Sequence, residues 1–471
     1  MFIYLDAMSW LSTISVLFLL GAANARFTFV QTPAPAPRAH QQVTPFPRAE
    51  FSIPFNSKAP RRKSKTAAFA AVRRLLSPTG DDNGTNVVAL DVDRFEVDYL
   101  ANITVGGQDF TVIVDTGSVD TWVIQQGFNC KDPNGTLVPQ STCAFGTAGY
   151  DTNASKTFQP FPDVNANMIF GNGAVLNGPV GFDTVAVGGL EVANQEIAVP
   201  NVATFNGHGI VSGLLGLAFP SLIIAVFNVS DGQKLPYDPF FFSAVKQEKL
   251  KDPIFSVSID RVTVDQLAND NVTQNIGYLS FGGLPPVPIL NTSVTLPIQG
   301  YSIVNSTAIP SNGPDAQFLF YTVDIQSYTF PGSTTVLTAS NNTVLDTGTT
   351  FNILPEDVAA VFAAGFDPPA TLITSPLNGR PIYVVDCNAT APEFLVTLGN
   401  TTFSIDPRDQ VVPSAQFDNG TTVCTSGTQP ITSLGDAFNM QFILGDVFLH
   451  NVVSTFNPIS KEVTLTQRAK Y

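Results

Sequence analysis

Two aspartates in a repeated short motif are the residues of this chain best suited to chemistry. They open two motifs of the form Asp-Thr-Gly-Ser/Thr, which comprise Asp115, Thr116, Gly117 and Ser118, and Asp346, Thr347, Gly348 and Thr349. Amide hydrolysis by an activated water needs a base for the water proton and an acid for the leaving group. Two carboxyl groups held close together cannot both ionise cheaply, so they share one proton and supply both roles. The sequence therefore predicts a catalytic pair that works at acidic pH.

The other positions of the two motifs suit the support of such a pair. A glycine after Asp-Thr lets the backbone approach the second carboxylate and a substrate. We expect the two threonines to hydrogen-bond across the interface between two lobes, and Ser118 and Thr349 to orient the carboxylates. The alternative is a pair of solvent-facing turns, because Asp-Thr-Gly also suits turns.

The surroundings of the motifs are repeated as well. Each motif follows a β-branched apolar run, FTVIV before Asp115 and TVL before Asp346. Each is followed by an apolar run that ends in Leu-Gly, with Gly216 101 positions after Asp115 and Gly445 99 positions after Asp346. The repeat predicts two lobes of similar plan, each of which presents one aspartate on a tight turn.

The composition predicts short strands as the elements that position these motifs. Hydrophobic residues make up 44% of the 471 residues and charged residues only 13%, with 35 Gly and 35 Pro. This mixture favours strands and turns over long amphipathic helices. From Val87 onward the strand pattern includes residues 95–97, 103–105 and 110–114. Helical signals are limited to Pro239–Leu250 and Pro355–Ala364.

Charge divides the chain into a basic head and an acidic body. Residues 1–74 hold ten Lys and Arg against two acidic residues, whereas the remainder carries a net charge of −23. An acidic body argues against a nucleic-acid partner. Three His, four Cys and no CxxC pair argue against a metal or thiol-redox site, so we expect no cofactor.

The N-terminus has the features of an export signal. Trp10 to Ala23 form an apolar run of 14 residues, too short to span a bilayer, and a small-x-small cleavage site ends at Ala25. We therefore predict a signal peptide at 1–25 and a soluble, secreted, extracellular protein without stable membrane association. The alternative is a buried core helix.

Residues 26–74 are predicted to be a basic propeptide, with a boundary that extends to about residue 87. The stretch up to about residue 60 is rich in Pro and Ala, which predicts an extended or disordered chain. Arg61-Arg62-Lys63 and Arg73-Arg74 are candidate processing sites, and Lys63 or Lys65 is a candidate to pair with the catalytic aspartates. The alternative is a solvated basic linker.

Sequons and cysteines agree with export. Several of twelve N-x-S/T sequons are expected to carry glycans, at Asn83, Asn102, Asn134, Asn153, Asn228, Asn271, Asn291, Asn305, Asn341, Asn388, Asn400 and Asn419. Four cysteines allow three connectivities. In an oxidising compartment the sequence-local pairs are the economical ones, which predicts Cys130–Cys143 and Cys387–Cys424.

Over residues 88–471 the chain resembles the pepsin-like aspartic endopeptidases. The resemblance rests on DTGS followed by Trp122, on DTGTT at 346–350, on FGNGAVLNGPVGFDTVAVGGL at 170–190, and on VSGLLGLAFP at 211–220 with FILGDVFL at 442–449. It implies an all-β, bilobal pepsin-like fold, with two similar β-barrel-like lobes at 88–260 and 261–471 and a cleft between them.

The resemblance also implies an activity and its partners. We expect a secreted aspartic endopeptidase that is made as a zymogen, is most active at acidic pH, acts on protein or peptide substrates, and binds pepstatin-type inhibitors as a monomer. By the same resemblance, residues 170–190 hold the flap over the cleft. Phe170 occupies the position of the family's flap Tyr, whose hydroxyl bonds the indole that corresponds to Trp122. Gly171 and Asn172 follow it in the flap, and Ile113 and Leu214 are expected to line the substrate site.

Two other functional classes remain open from the sequence. One is a pepsin-like fold that has lost catalysis and serves as a binding or inhibitor protein, and Phe170 is its only support. The other is a structural or carbohydrate-binding β-protein, which leaves the repeated motif unexplained. A serine hydrolase has little support, because His208 and His450 lie far apart in the sequence and neither lies in a Ser–His–Asp pattern. Pepstatin-sensitive hydrolysis at acidic pH separates the active endopeptidase from the other two classes.

Overall fold

A computed structural model shows a chain made mainly of β-strands, as the turn-rich sequence predicts. It describes residues 28–29, 46–55, 62–64, 87–89, 99–146, 149–170, 174–205, 209–223, 226–261, 276–304, 307–311, 313–331, 336–375, 379–417, 422–433 and 442–469. Helices within these ranges are short: α1 (Gln140–Cys143), α2 (Phe240–Lys246), α3 (Glu356–Ala364) and α4 (Asp446–Leu449). Two of them, α2 and α3, are the predicted helices, but α2 ends before Leu250 because Glu248 adopts a left-handed φ of 55°. The predicted signal peptide, Arg73-Arg74 and the strand expected at 95–97 lie outside these ranges.

The strands follow one another in short segments along the chain. The N-terminal segment contains β1 (Thr28–Phe29), β2 (Phe51–Pro54), β3 (Arg62–Ser64) and β4 (Val87–Ala89). The first lobe contains β5 (Leu100–Val105), β6 (Gln108–Asp115), β7 (Trp122–Val123), β8 (Asn129–Lys131), β9 (Leu137–Val138), β10 (Gln159–Ile169), β11 (Val175–Val187), β12 (Leu190–Ala198), β13 (Val202–Thr204), β14 (Gly213–Gly216) and β15 (Val226–Asn228).

The remaining strands belong to the sheet between the lobes and to the second lobe. They are β16 (Phe255–Ile259), β17 (Gly277–Phe281), β18 (Ile289–Pro297), β19 (Gly300–Val304), β20 (Thr307–Ser311), β21 (Thr322–Thr329), β22 (Val336–Leu345), β23 (Asn352–Leu354), β24 (Thr371–Thr374), β25 (Pro381–Val385), β26 (Phe394–Leu398), β27 (Thr401–Ile405), β28 (Val411–Phe417), β29 (Thr422–Ser426), β30 (Thr428–Pro430), β31 (Phe442–Leu444), β32 (Val452–Asn457) and β33 (Glu462–Arg468).

The first lobe is built around one closed sheet of eleven strands. Its main order is β12-β7-β14-β6-β5-β11-β13-β8-β9, and β12 also pairs with β11, so the sheet closes on itself. Within it β14 lies between β6 and β7, parallel to the former and antiparallel to the latter. Alternate residues of β5 and β6 face the core, as their burial shows.

The second lobe repeats this arrangement. Its seven-stranded sheet has the order β27-β26-β21-β22-β31-β23-β30. Here β31 lies between β22 and β23, parallel to β22 and antiparallel to β23. A further sheet, β24-β25-β29-β28-β4-β3, combines four strands of this lobe with β4 and β3 of the N-terminal segment, and β1 of that segment joins β20 and β19 in a small third sheet. The predicted bilobal all-β fold is therefore confirmed, with the internal repeat visible in the strand order.

A six-stranded sheet, β18-β33-β32-β16-β17-β2, joins the lobes over an aromatic core. The ring of Phe456 lies 4.8 Å from that of Phe255 and 4.4 Å from that of Tyr321, centroid to centroid. All three rings are fully buried, and the hydroxyl of Tyr321 donates to the carbonyl of Leu217 in the first lobe at 2.6 Å. Burial of large aromatic side chains dominates core energetics, so this cluster holds the halves in a fixed relation.

The edge strand β2 comes from the predicted propeptide, where the sequence predicted only an extended or disordered chain. It pairs with β17 in antiparallel register, from Phe51 opposite Phe281 to Pro54 opposite Tyr278. Phe55, directly after the strand, is fully buried against Tyr99. The Pro-rich composition predicted the extended backbone, but it did not predict this docking, because the partner strand lies more than 220 residues away.

Candidate active site

Each predicted catalytic aspartate lies at the end of an inner strand of its lobe. Asp115 is the last residue of β6, and its register partner on the parallel strand β14 is Gly216. Asp346 directly follows β22 beside the parallel strand β31. A Cβ at Gly216 or at Gly445 would collide with the backbone of the loop after the aspartate, so glycine is required at both positions.

The threonines of the two motifs lock the loops together. The backbone N–H of Thr116 donates to Thr347 Oγ1 at 3.1 Å, and the N–H of Thr347 donates to Thr116 Oγ1 at 3.0 Å. Each hydroxyl then donates across the interface, from Thr116 to Leu345 O at 2.9 Å and from Thr347 to Val114 O at 2.8 Å. Both side chains are buried, so four hydrogen bonds shielded from water fix the separation of the two aspartates.

Each carboxylate is oriented by the last two residues of its own motif. Asp115 accepts a hydrogen bond from the N–H of Gly117 at 2.7 Å and one from the hydroxyl of Ser118 at 2.6 Å. The two corresponding bonds to Asp346 are both 2.8 Å long. The carboxylates therefore take equivalent orientations, related by the repeat.

The glycines of the motifs face the opposite carboxylate. A Cβ at Gly117 would lie 2.5 Å from the carboxyl atoms of Asp346, and a Cβ at Gly348 would lie 2.5 Å from Oδ1 of Asp115. Burial, followed by the negative charge of Asp115, raises the pKa of Asp346, against the hydrogen bonds donated within its own motif. Such a pair retains a proton at a pH where separate carboxyl groups have lost theirs.

The segment predicted to be the flap is a β-hairpin. Strands β10 and β11 pair in antiparallel register, and the N–H of Phe170 donates to Ala174 O at 2.9 Å across the end of the hairpin. Gly171 and Asn172, which were assigned to the flap, lie outside the described residues, as does His208.

Phe170 packs against Trp122 within a group of aromatic rings. The ring centroids of Phe145, Phe170 and Phe205 lie 6.2, 6.3 and 6.3 Å from that of Trp122. Trp122 is 1% exposed, and its Nε1 has no hydrogen-bond partner among the described residues. Phe145 and Phe205 were not predicted, because they lie in irregular loops without periodicity and nothing in the sequence links them to Trp122.

Ile113 and Leu214 border the same group of rings. They are register partners on the parallel strands β6 and β14, two residues before Asp115 and Gly216. Leu214 belongs to the buried apolar cluster that contains Trp122, and Ile113 and Phe170 pack against that cluster. This places the apolar residues predicted to contact substrate on one continuous surface that leads to the aspartates.

A second polar network, which the sequence did not predict, lies around His450. Its Nδ1 is 3.0 Å from Asp409 Oδ1, and its Nε2 is 2.6 Å from the hydroxyl of Tyr99. Arg261 donates to both oxygens of Asp409, at 2.5 and 2.8 Å. The network joins a Tyr of the first lobe to an Asp and a His of the second, although these residues are widely separated in sequence.

Both predicted cysteine pairs, Cys130–Cys143 and Cys387–Cys424, are bonded in the structure. The described residues contain no group of three His, Cys, Asp or Glu side chains placed to bind a metal ion. Within the same ranges, no helix has both the length and the apolar character needed to cross a bilayer.

Two lobes that each contribute one aspartate to a shared, glycine-lined pair define the fold and site of an aspartic protease. The sequence profile described as "Eukaryotic aspartyl protease" matches residues 98–468. A probable aspartic-type endopeptidase of Aspergillus fumigatus is 36% identical over 376 residues, which cover 79% of each chain. Rhizopuspepsin-2 of Rhizopus niveus is 27% identical over 88% of this chain and 92% of its own.

A solved structure agrees with the fold. The crystal structure of the aspartic proteinase from Irpex lacteus superposes with a TM-score of 0.57 at 19% identity, over 79% of this chain and 94% of that one. The chain belongs to the eukaryotic aspartyl protease family, and it is an aspartic-type endopeptidase, a hydrolase that acts on peptides.

Proposed function

We propose that this protein hydrolyses peptide bonds with a water molecule activated between Asp115 and Asp346. The reciprocal geometry of the pair is the observation that carries this proposal, since each carboxylate is oriented by its own motif and faces the glycine of the other. In the acidic range the two groups share one proton, so one is ionised and the other is not.

The shared proton allows each carboxyl group to take one role. The ionised carboxylate accepts a proton from water as the water oxygen attacks the peptide carbonyl carbon. The protonated carboxyl group donates its proton to the carbonyl oxygen, which yields a neutral tetrahedral diol. The carboxyl group that took the water proton then donates it to the leaving nitrogen, the other carboxylate accepts a proton from one diol hydroxyl, and the C–N bond breaks, which leaves the pair with one shared proton again. We assign the proton to the pair and not to one aspartate.

Phe170, Trp122, Ile113 and Leu214 are the residues that we propose for substrate contact. Their continuous apolar surface beside Asp115 suits an apolar side chain next to the scissile bond. Phe170 contributes as a lid that packs over the substrate and excludes water. We also propose inhibition by pepstatin and action as a monomer.

Secretion and glycosylation are part of the same proposal. They rest on the apolar N-terminal run, which ends at Ala23, on the cleavage site that ends at Ala25, and on the two disulfides. Among the described residues, six sequon asparagines are exposed and therefore open to modification, at Asn102, Asn134, Asn153, Asn291, Asn388 and Asn400.

The precursor is proposed to be latent. The +8 net charge of residues 1–74 favours docking on an acidic body, and β2 already pairs with the sheet between the lobes. Processing after the dibasic sites would release activity. Equal activity of the uncleaved precursor and the processed enzyme, at both low and high salt, would contradict this.

Hydrolysis of a denatured protein near pH 3–5, with and without pepstatin, tests the activity. We expect Asp115→Asn and Asp346→Asn each to abolish hydrolysis while circular dichroism shows a folded protein, because each removes half of an acid–base pair. Asp315→Asn is the control, since Asp315 is exposed and lies outside both motifs. Retention of more than a few per cent of activity by either motif variant would refute the two-aspartate mechanism.

A further inference from the structure

A second pair of carboxyl groups, Asp120 and Glu196, lies where the first catalytic loop meets β12. Strands β7 and β12 are parallel, with Trp122 and Ala198 as register partners. Asp120 and Glu196 each lie two positions before one of these partners. Glu196 lies on β12 and Asp120 lies in the loop before β7. Burial, followed by the charges of Asp120 and Glu196, raises the pKa of Tyr237, which places both carboxyl groups near its hydroxyl.

Among the described residues, one side-chain hydrogen bond to this pair is found. The hydroxyl of Tyr237 donates to Asp120 Oδ1 at 2.9 Å. Glu196 is 8% exposed, and its Oε1 has no hydrogen-bond partner among the described residues. The neighbouring charge on the Tyr237 loop is Asp238, which is paired at the surface with Lys246 at 2.9 Å. No basic side chain in the described ranges forms an ion pair with either carboxyl group.

Asp120 is part of the loop that holds the first catalytic aspartate. It lies two residues after Ser118, whose hydroxyl orients Asp115 and whose carbonyl accepts from the N–H of Ala218 at 2.9 Å. A Cβ at Gly216 would lie 2.8 Å from the backbone nitrogen of Asp120, so the loop packs tightly on β14. A displacement of Asp120 is therefore transmitted to the orientation of Asp115.

Both carboxyl groups hold their protons well above the ordinary range. Burial raises the pKa of Asp120 to about 6, despite the hydrogen bond from Tyr237. Burial, with a smaller contribution from Asp120, raises the pKa of Glu196 to about 7. The folded protein binds these protons more tightly than the unfolded chain does. The stabilisation is therefore complete below about pH 4 and is lost as the pH rises towards 7.

We propose that Asp120 and Glu196 are positioning residues, which keep the first catalytic loop in its active conformation while they are protonated and thereby set the neutral-pH limit of activity. Ionisation places two negative charges side by side with one donor between them, which favours separation of the loop from β12. The inference rests on the proposed hydrolysis by Asp115 and Asp346, and it adds a second titrating pair to it.

Trp122 provides an intrinsic fluorescence signal close to Asp120 and Glu196. The chain contains two tryptophans, and the first, Trp10, lies in the predicted signal peptide. In the processed enzyme Trp122 is therefore the sole tryptophan. It is two residues from Asp120 and directly opposite Ala198, so its fluorescence responds to displacement of the loop.

The test compares the processed wild-type enzyme with Glu196→Gln and Asp120→Asn over about pH 3–8, by kcat/KM on one peptide and by Trp122 fluorescence. We expect wild-type activity to fall, and the fluorescence to change reversibly, in the same range near pH 6–7. Either variant should move both midpoints upwards by about one pH unit and make both transitions shallower, because one group fewer loses a proton when the loop opens and two adjacent negative charges can no longer form. Activity at pH 4 should stay within about twofold.

Glu191→Gln is the matched control, because it is the same substitution at an exposed position of the same strand. Unchanged midpoints in both Glu196→Gln and Asp120→Asn would overturn the proposal, as would an equal shift in the control. If one variant fails to fold, the other decides. If the wild-type enzyme hydrolyses no peptide at any pH, the proposed function fails, whereas the Trp122 titration still decides whether this pair controls the loop.

Discussion

The packing of Phe170 against Trp122 predicts that a hydroxyl group on the ring of residue 170 would fix the flap more firmly and raise kcat/KM. Trp122 Nε1 is buried without a hydrogen-bond partner among the described residues, and the ring of Phe170 lies 6.3 Å away, centroid to centroid. Phe170→Tyr adds a hydroxyl to the ring beside this N–H group. We expect the new hydroxyl to accept the indole hydrogen bond and to fix the flap over the cleft.

The expected change in kcat/KM follows from the free-energy cost of a buried hydrogen-bond donor that has no acceptor. A buried donor without a partner costs about 1–3 kcal/mol, and a new intramolecular hydrogen bond contributes about 1 kcal/mol net. If that gain applies to the closed flap alone, kcat/KM rises by about fivefold. Phe170→Ala instead loses an aromatic contact and half-buried apolar area, together about 2 kcal/mol. That loss lowers kcat/KM by about 30-fold.

The assay is kcat/KM of both variants on one peptide at the pH of maximal activity, with Trp122 fluorescence as an independent measure of the indole's surroundings. Phe161→Tyr is the control, because Phe161 lies on the same hairpin and contacts Phe182 instead of Trp122. An activity of Phe170→Ala equal to that of the parent would show that this residue is not the lid. A Phe170→Tyr enzyme with lower kcat/KM would show that the hydroxyl is not accepted at this site.

Three further changes test other features of the structure. Gly117→Ala would place a Cβ 2.5 Å from the carboxyl group of Asp346, and the displacement should lower kcat by about 100-fold or more. Gly313→Ala is the control and should leave kcat unchanged, because a Cβ there would meet only Ser311 Oγ, at 3.4 Å. Burial works to raise the pKa of Asp409, but the charges and hydrogen bonds of His450 and Arg261 outweigh it and hold that pKa below its ordinary value. Its stabilisation is therefore present above about pH 4 and is lost as the pH falls. Asp409→Asn should lower the free energy of unfolding by about 3 kcal/mol at pH 5, and by less at pH 2, in urea titrations. Replacement of the disulfides by serine pairs should cost about 3 kcal/mol for the 13-residue loop and about 4 kcal/mol for the 37-residue loop, because longer loops lose more unfolded-state entropy; an equal loss for both would contradict that ranking.

The sequence predicted the features that depend on residues close to one another in the chain. The repeated Asp-Thr-Gly motifs and the matched glycines predicted two similar lobes, and the strand order shows the repeat. Short apolar alternation also located β5 and β6. These predictions needed only the residues next to one another in the chain.

The features that the sequence did not predict depend on contacts between distant segments. Tyr99 and His450 are 351 positions apart, and no periodicity links them. The docking of Phe55 in the core depends on a partner strand far along the chain, and the Pro-rich composition around it predicted only its extended backbone. The pairing of Asp120 with Glu196 depends on the parallel register of β7 and β12, which is set by the closure of the sheet and not by either strand alone.

Because the glycine of each motif faces the carboxylate of the other motif, each lobe completes the catalytic site of the other. Neither lobe, produced by itself, would contain a finished site, since the surface that receives its carboxylate belongs to its counterpart. The arrangement resembles that of a twofold dimer whose subunits have been joined into one chain. Substitutions at Gly117 and Gly348 should consequently act on the carboxylate that lies farther away in sequence, so the two copies of the motif cannot diverge independently.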